Sequence, residues 1–404
     1  MIRVKHVVLF FWMILCAAAL AGEAKSPWDM ELLSKPPKTY PAPEFKAEGV
    51  KALFYECLAL ADKPTRSFAW VGVPAVKPGQ KVPGVVLVHG GSGTAEKDWV
   101  ELWVKRGYAA IAMDCSGCVP RQEGKVWARH ESGGPPGWGT ESFKQLDRAD
   151  NENWIYHAVA DVILAHSLLR SLPDVDAERI GITGISWGGI LTCIVAGVDE
   201  RFKFAVPVYG CGFLYEDSAW AERLQKMEKA KSERWICAFD PSHYLGAARG
   251  PALWVAGTND QFFPLDSLQK SYRLPKGPRT LCIRLRMPHG GEEGSKAPEI
   301  FAFADSIVKS GAPLATVSDQ GAEGSEAWVR FSCVVPVEKA ELNFTRDRGP
   351  WLSRKWETAP ARLDLENHKA AAALPEGTTV YYFNLIDTRG LIVSSEHVEL
   401  SSGK

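Results

Sequence analysis

The five residues Gly184-Ile185-Ser186-Trp187-Gly188 follow an apolar run at 180–183 and precede a helix-compatible stretch at 190–196. A strand that becomes a helix within so few residues forces the central residue into strained backbone geometry. Glycines on either side leave room for that turn. The Ser186 hydroxyl is then presented at the C-terminal edge of a sheet. Pentapeptides of this kind arise by chance in Gly- and Ser-rich loops, so the strand before it and the helix after it carry its meaning.

A serine hydroxyl is a poor nucleophile at neutral pH. An imidazole must take its proton during attack and return it to the leaving group, and a carboxylate must fix the imidazole tautomer and stabilise the imidazolium. Around such an elbow the partners follow in the order acid, then histidine, each after a later strand. Residues 252–256 form a short apolar run leading into Gly257-Thr258-Asn259-Asp260, and residues 280–286 a second run leading into Met287-Pro288-His289-Gly290. Asp260 is the expected acid and His289 the expected base. Asp266 is the alternative acid, but it falls in residues 264–268, which read as a helix start and suit an N-cap. His130 and His243, in loops on the wrong side of Asp260, are the competing bases.

Acyl transfer also needs donors aimed at the developing oxyanion. One is the N–H of Trp187, the residue after the nucleophile. The second should come from the loop after an earlier strand, and Val85-Val86-Leu87-Val88 runs into His89-Gly90-Gly91-Ser92-Gly93. Gly91 is the chosen donor, with Gly90 or Ser92 as alternatives, and His89 is read as ordering the loop. No lysine or G-K-[ST] follows, which speaks against a nucleotide site.

On the motifs at 88–91, 184–188, 257–260 and 288–290 the chain resembles the α/β-hydrolase superfamily. Within it the chain is most similar to acetyl xylan esterases, dienelactone hydrolase-like proteins and prolyl-oligopeptidase-type catalytic domains, over roughly residues 46 to 312. The resemblance implies a doubly wound, mostly parallel sheet and a serine hydrolase without a cofactor. Ser186 stands where a dienelactone hydrolase usually has cysteine. The roughly 45 residues before the matching region are too few for the propeller of a prolyl oligopeptidase.

The chain opens with Arg3 and Lys5, an apolar run at 7–20, and Ala19 and Ala21 at signal-cleavage spacing. This predicts a signal peptide over residues 1–21, cleavage before Gly22, and a secreted or periplasmic protein with no stable membrane insertion. Cleavage removes two basic residues and no acid, moving the net charge from −1 to −3. Such a balance carries no basic-patch signal for nucleic acid. Eight cysteines remain. Cys115 and Cys118 are spaced for a loop disulfide, or for redox or zinc chemistry, but no second C-x-x-C or H-E-x-x-H completes a metal site.

The expected organisation is an extended lead-in at 22–45, an α/β catalytic domain at 46–312, and a small all-β module at 313–404. Residues 151–172 carry a helical apolar period. Residues 116–150 form a long Gly- and Pro-rich loop that should leave the sheet at the active-site edge; Trp127 and Trp138 there, and Phe213 in a second wall at 210–244, are the candidate substrate contacts. After Pro313, short strands at regular spacing predict an Ig- or fibronectin-like sandwich, with Trp351 and Trp356 packed inside it or against the catalytic domain.

The resulting expectation is a secreted serine carboxylic ester hydrolase acting on an acylated carbohydrate or other small ester, above all as an acetyl xylan-type deacetylase. A serine peptidase and a non-catalytic carbohydrate-binding protein are the other two readings, and the ordered Ser, Asp and His speak against the last. Nothing in the chain signals its oligomeric state.

Overall fold

A computed structural model describes residues 26–137 and 143–400. Eleven strands precede the C-terminal module: β1 (Thr39–Lys46), β2 (Lys51–Leu60), β3 (Lys63–Gly72), β4 (Val82–Val88), β5 (Ala109–Met113), β6 (Cys118–Glu123), β7 (Val126–Arg129), β8 (Val175–Ile185), β9 (Ala205–Val208), β10 (Ala252–Gly257) and β11 (Arg279–Arg284). Nine of them form one sheet in the order β1-β2-β3-β5-β4-β8-β9-β10-β11. The first three pair antiparallel, β3 meets β5 antiparallel, and from β5 to β11 every pairing is parallel. This is the mostly parallel α/β-hydrolase sheet that the motifs implied.

The parallel strands read as near-continuous apolar runs because helices cover both faces. From β4 the chain crosses to β5 through the helix Lys97–Lys105, then returns past β4 to β8 through the helix Trp154–Ser171. Both crossovers are right-handed by the general rule, so this reversal of direction puts the two helices on opposite faces. Trp187–Val198 packs beside Trp154–Ser171, and Pro298–Val308 joins Lys97–Lys105 through Trp103 and Phe301, whose rings lie 5.0 Å apart.

All but the last residue of Thr39–Lys46 lies in the segment expected as an extended lead-in, yet the strand pairs with β2 as the outermost strand of the sheet. Pro41 and Pro43 are tolerated there because an edge strand has a side that needs no donor. The long loop at 116–150 folds β6 and β7 into a hairpin.

One polar group in the helical layer stands apart. Asp161 is buried beside Tyr55 and Cys57, and one of its carboxylate oxygens has no partner among the described residues. Burial pushes its carboxyl up to about 7. A folded-state value above the unfolded one means that the native protein keeps a proton the unfolded chain releases, so stability falls as pH rises from the ordinary carboxyl range towards that value. Asp161→Asn should remove this slope. Denaturant unfolding should show the variant gaining on the wild type by on the order of 4 kcal/mol across that interval; parallel pH profiles would refute the assignment.

The C-terminal module contains nine antiparallel strands: β12 (Thr316–Glu323), β13 (Glu326–Ser332), β14 (Val337–Thr345), β15 (Trp356–Pro360), β16 (Arg362–Asp364), β17 (Lys369–Ala373), β18 (Val380–Asp387), β19 (Ile392–Ser394) and β20 (Val398–Glu399). One sheet runs β12-β13-β17-β16, the other β15-β14-β18-β19, with β20 also on β18. Trp351 and Trp356 are buried and stack at 6.5 Å.

Candidate active site

Strand β8 ends at Ile185 and the helix begins at Trp187, leaving Ser186 alone at the corner with φ 58° and ψ −118°. That left-handed geometry is strained for a residue with a side chain, and the flanking glycines make it attainable. A Cβ on Gly184 would stand 2.2 Å from the Gly188 carbonyl oxygen, and one on Gly188 would stand 2.1 Å from that of Val88. The Ser186 N–H donates to Val208 O at 3.0 Å, tying the corner to β9.

The structure brings Ser186, His289 and Asp260 into one line. His289 Nε2 lies 2.8 Å from Ser186 Oγ, and Nδ1 lies 2.7 Å from Asp260 Oδ2. With an ionised carboxylate at Nδ1 the proton sits there, which leaves Nε2 to accept from the serine. Asp260 is buried, and its other oxygen accepts the backbone N–H groups of Phe262 and Phe263 at 2.8 and 2.9 Å. The imidazole is walled by Tyr209 at 4.4 Å, Phe262 at 4.7 Å and Phe263 at 6.0 Å. Tyr209 donates its hydroxyl hydrogen bond to Gly290 O, bracing the chain just after His289, and burial raises its phenol pKa.

The glycine loop after β4 lies against the same corner. A Cβ on Gly90 would meet that of Ser186 at 3.3 Å. The Cys115 N–H donates to His89 Nε2 at 3.0 Å, so His89 Nδ1 carries the proton and donates to Gly90 O at 2.7 Å. His89 therefore orders this loop, as its position suggested. Trp187 is the first residue of its helix, where an N–H has no intrahelical acceptor. Gly91 and Trp187 both line a cleft of about 500 Å³ that also contains Ser186 and His289.

Trp220 and Phe262 form the aromatic wall of this cleft, stacked at 5.6 Å, and Glu96 adds a carboxylate. Trp220 lies in the second wall anticipated from sequence. Phe262 and Glu96 were not singled out, although Phe262 stands only two residues beyond Asp260 in the same loop. The proposed contacts Trp127 and Phe213 are not among the lining residues. Trp127 donates its indole N–H to Ser92 O at 2.7 Å, bracing the glycine loop from outside. Phe213 is half-buried at φ 58°, with its N–H held by Asp240 at 2.9 Å. Trp138 lies outside the described residues.

The competing residues sit elsewhere. His130 packs on Phe54, and His243 belongs to the short helix Ser242–Leu245. Asp266 lies in the first turn of Leu265–Tyr272, but Pro264 occupies the N-cap, so the N-cap reading of Asp266 is corrected: with proline at 264 as the cap, the helix starts two residues earlier. Cys115 and Cys118 are not bridged; the first thiol is buried and the second half-buried. Among the described residues no group of three or more His, Cys, Asp or Glu is placed to hold a metal ion.

The acetyl xylan esterase (AXE1) family model matches residues 28–242. Among solved structures, an acetyl xylan esterase from Paenibacillus sp. R4 superposes with a TM-score of 0.55 at 23% identity, covering 69% of this chain and 92% of that one, a likeness of fold. Among curated proteins, the uncharacterized protein PA2218 of Pseudomonas aeruginosa is 28% identical over 220 residues, 51% of this chain and 50% of that protein. The uncharacterized peptidase YuxL of Bacillus subtilis is 24% identical over 234 residues, 53% of this chain and 32% of that protein. The chain thus spans half the length of one curated relative and a third of the other.

Proposed function

The chain belongs to the acetyl xylan esterase (AXE1) family, and from that premise we propose that it is a serine esterase that removes acetyl groups from carbohydrate through an acyl-enzyme on Ser186. The observation that carries the reading is the continuous hydrogen-bond line from Asp260 through His289 to Ser186, beside a cleft of about 500 Å³.

In the proposed reaction His289 Nε2 takes the Ser186 proton as Oγ attacks the ester carbonyl. The carbonyl electron pair moves onto oxygen and is met by the N–H groups of Trp187 and Gly91, each worth on the order of 3 to 4 kcal/mol in comparable sites. The imidazolium, held by Asp260, gives its proton to the departing sugar oxygen. Water then enters, gives a proton to the same nitrogen and attacks the acetyl-serine; acetate leaves and Ser186 regains its proton. Trp220 and Phe262 offer flat apolar surface for the alcohol portion.

Secretion belongs to the same proposal, motivated by the leader at residues 1–21, which lies outside the described residues. Among the described residues no helix is long and apolar enough to cross a membrane. A peptidase is the second reading, favoured by the name of one relative. Assaying the mature protein against acetylated glycans, simple acyl esters and aminoacyl anilides separates the two: the esterase reading expects release of acetate, and turnover confined to anilides would replace it.

A further inference from the structure

The acid loop is tied to the C-terminal module by one side chain. Asn259, next to Asp260, directs its amide nitrogen at three backbone oxygens of the module, Trp351 at 3.2 Å, Leu352 at 3.1 Å and Arg354 at 2.8 Å. Its amide oxygen accepts the Thr258 hydroxyl at 2.8 Å. Only the NH₂ end can face three carbonyls, so the amide orientation follows from its partners. Thr258 Oγ1 in turn accepts the Arg286 N–H at 2.9 Å, and the Arg286 guanidinium donates to Trp356 O at 3.0 Å. The acid loop and the segment leading to His289 are thereby held to each other and to one turn of the module.

The same surface covers the exposed edge of the sheet. Strand β11 is the last strand, and its Ile283 N–H donates to Ser394 Oγ at 2.7 Å while Ile283 O accepts Asn384 Nδ2 at 3.2 Å. Arg284 is paired with buried Glu299 at 2.6 Å, and Glu299 also accepts the Ile392 N–H at 2.9 Å. An edge strand left open presents a row of unpaired N–H and C=O groups. Here it is fixed by side chains of the module, and His289 lies five residues beyond it.

We propose that Asn259 is a positioning residue through which the C-terminal module sets the geometry of the Asp260–His289 pair. The inference rests on the reading of Asp260 as the acid. A displacement of about 1 Å in such a pair is enough to cost on the order of a hundredfold in rate.

The test uses the full chain and 4-nitrophenyl acetate. Asn259→Ala should lower kcat by about tenfold or more with KM within about twofold. Asn259→Asp should lower it further although it keeps the volume, because its carboxylate oxygen would face the three carbonyls. A packing role gives the reverse order, with Asp nearer the wild type, and that order, or an unchanged kcat in both variants, overturns the proposal. Should either variant fail to fold, Thr258→Val removes the hydroxyl that fixes the amide. It should lower kcat severalfold in the same sense, and an unchanged kcat again overturns the proposal. The low-field proton resonance of His289 Nδ1–H reports the bond to Asp260 without any substrate. Its loss or upfield movement in Asn259→Asp supports the latch even if the wild type hydrolyses no ester, in which case the esterase reading fails alone. A resonance that does not change between wild type and Asn259→Asp overturns the latch alone.

Discussion

Ser186→Ala is expected to lower kcat for acetyl ester hydrolysis by about 10⁶-fold, the loss seen when the nucleophile of a comparable triad is removed. The alanine takes away the hydroxyl oxygen that His289 Nε2 meets at 2.8 Å. It should leave the melting temperature close to that of the wild type, since the residue is anchored by its backbone N–H to Val208 and by the glycines around it. Kinetics and thermal unfolding on one preparation check both halves. Full turnover in the variant would move the nucleophile elsewhere, and a collapsed melting temperature would show that the hydroxyl holds the corner together.

Asp260→Asn is expected to lower kcat by on the order of 10³ to 10⁴. The carboxylate oxygen bound to Phe262 and Phe263 can be replaced by the amide oxygen, which keeps both backbone bonds. The amide nitrogen then faces His289 Nδ1, where the carboxylate oxygen had accepted at 2.7 Å. A donor in that place asks Nδ1 to accept, which puts the imidazole proton on Nε2, facing Ser186, where it blocks uptake of the serine proton. Asp266→Asn should have little effect, because Asp266 belongs to the first turn of the next helix. Equal losses in the two variants would contradict the assignment.

The sheet and the ends of its strands were readable because the relevant signals are local. Apolar runs end in Gly-rich turns at β4 and β8 and in a polar turn at β10, and the polar residue of each turn stands within three residues of the strand end. What escaped depends on partners distant in sequence or on strands without an apolar signature. Strand β17 is Lys369-Ala370-Ala371-Ala372-Ala373, in which Ala370, Ala371 and Ala372 are small enough to be buried side by side and show no alternation. Strand β12 is largely exposed, with few apolar residues to mark a face. Within residues 390–400, β19 and β20 are separate strands because Ser394 and Ser395 turn their hydroxyls onto neighbouring strands. Trp127 and Phe213 were chosen for lying in loops near the right edge, but which ring faces the cleft is settled by packing. Trp220 stacks on Phe262, itself fixed by the Asp260 turn. The contact of Asn259 with Trp351, 92 residues away, leaves no local trace.

The proposed function turns on a covalent acetyl group at one atom. The most direct test is rapid acid quench of the protein turning over 4-nitrophenyl acetate, followed by peptide mapping. An acetyl group is expected on the peptide containing Ser186, at the Ser186 hydroxyl, and absent from Ser186→Ala. Steady turnover with no acetylated peptide, or with acetyl at another side chain whose removal stops the reaction, would contradict it.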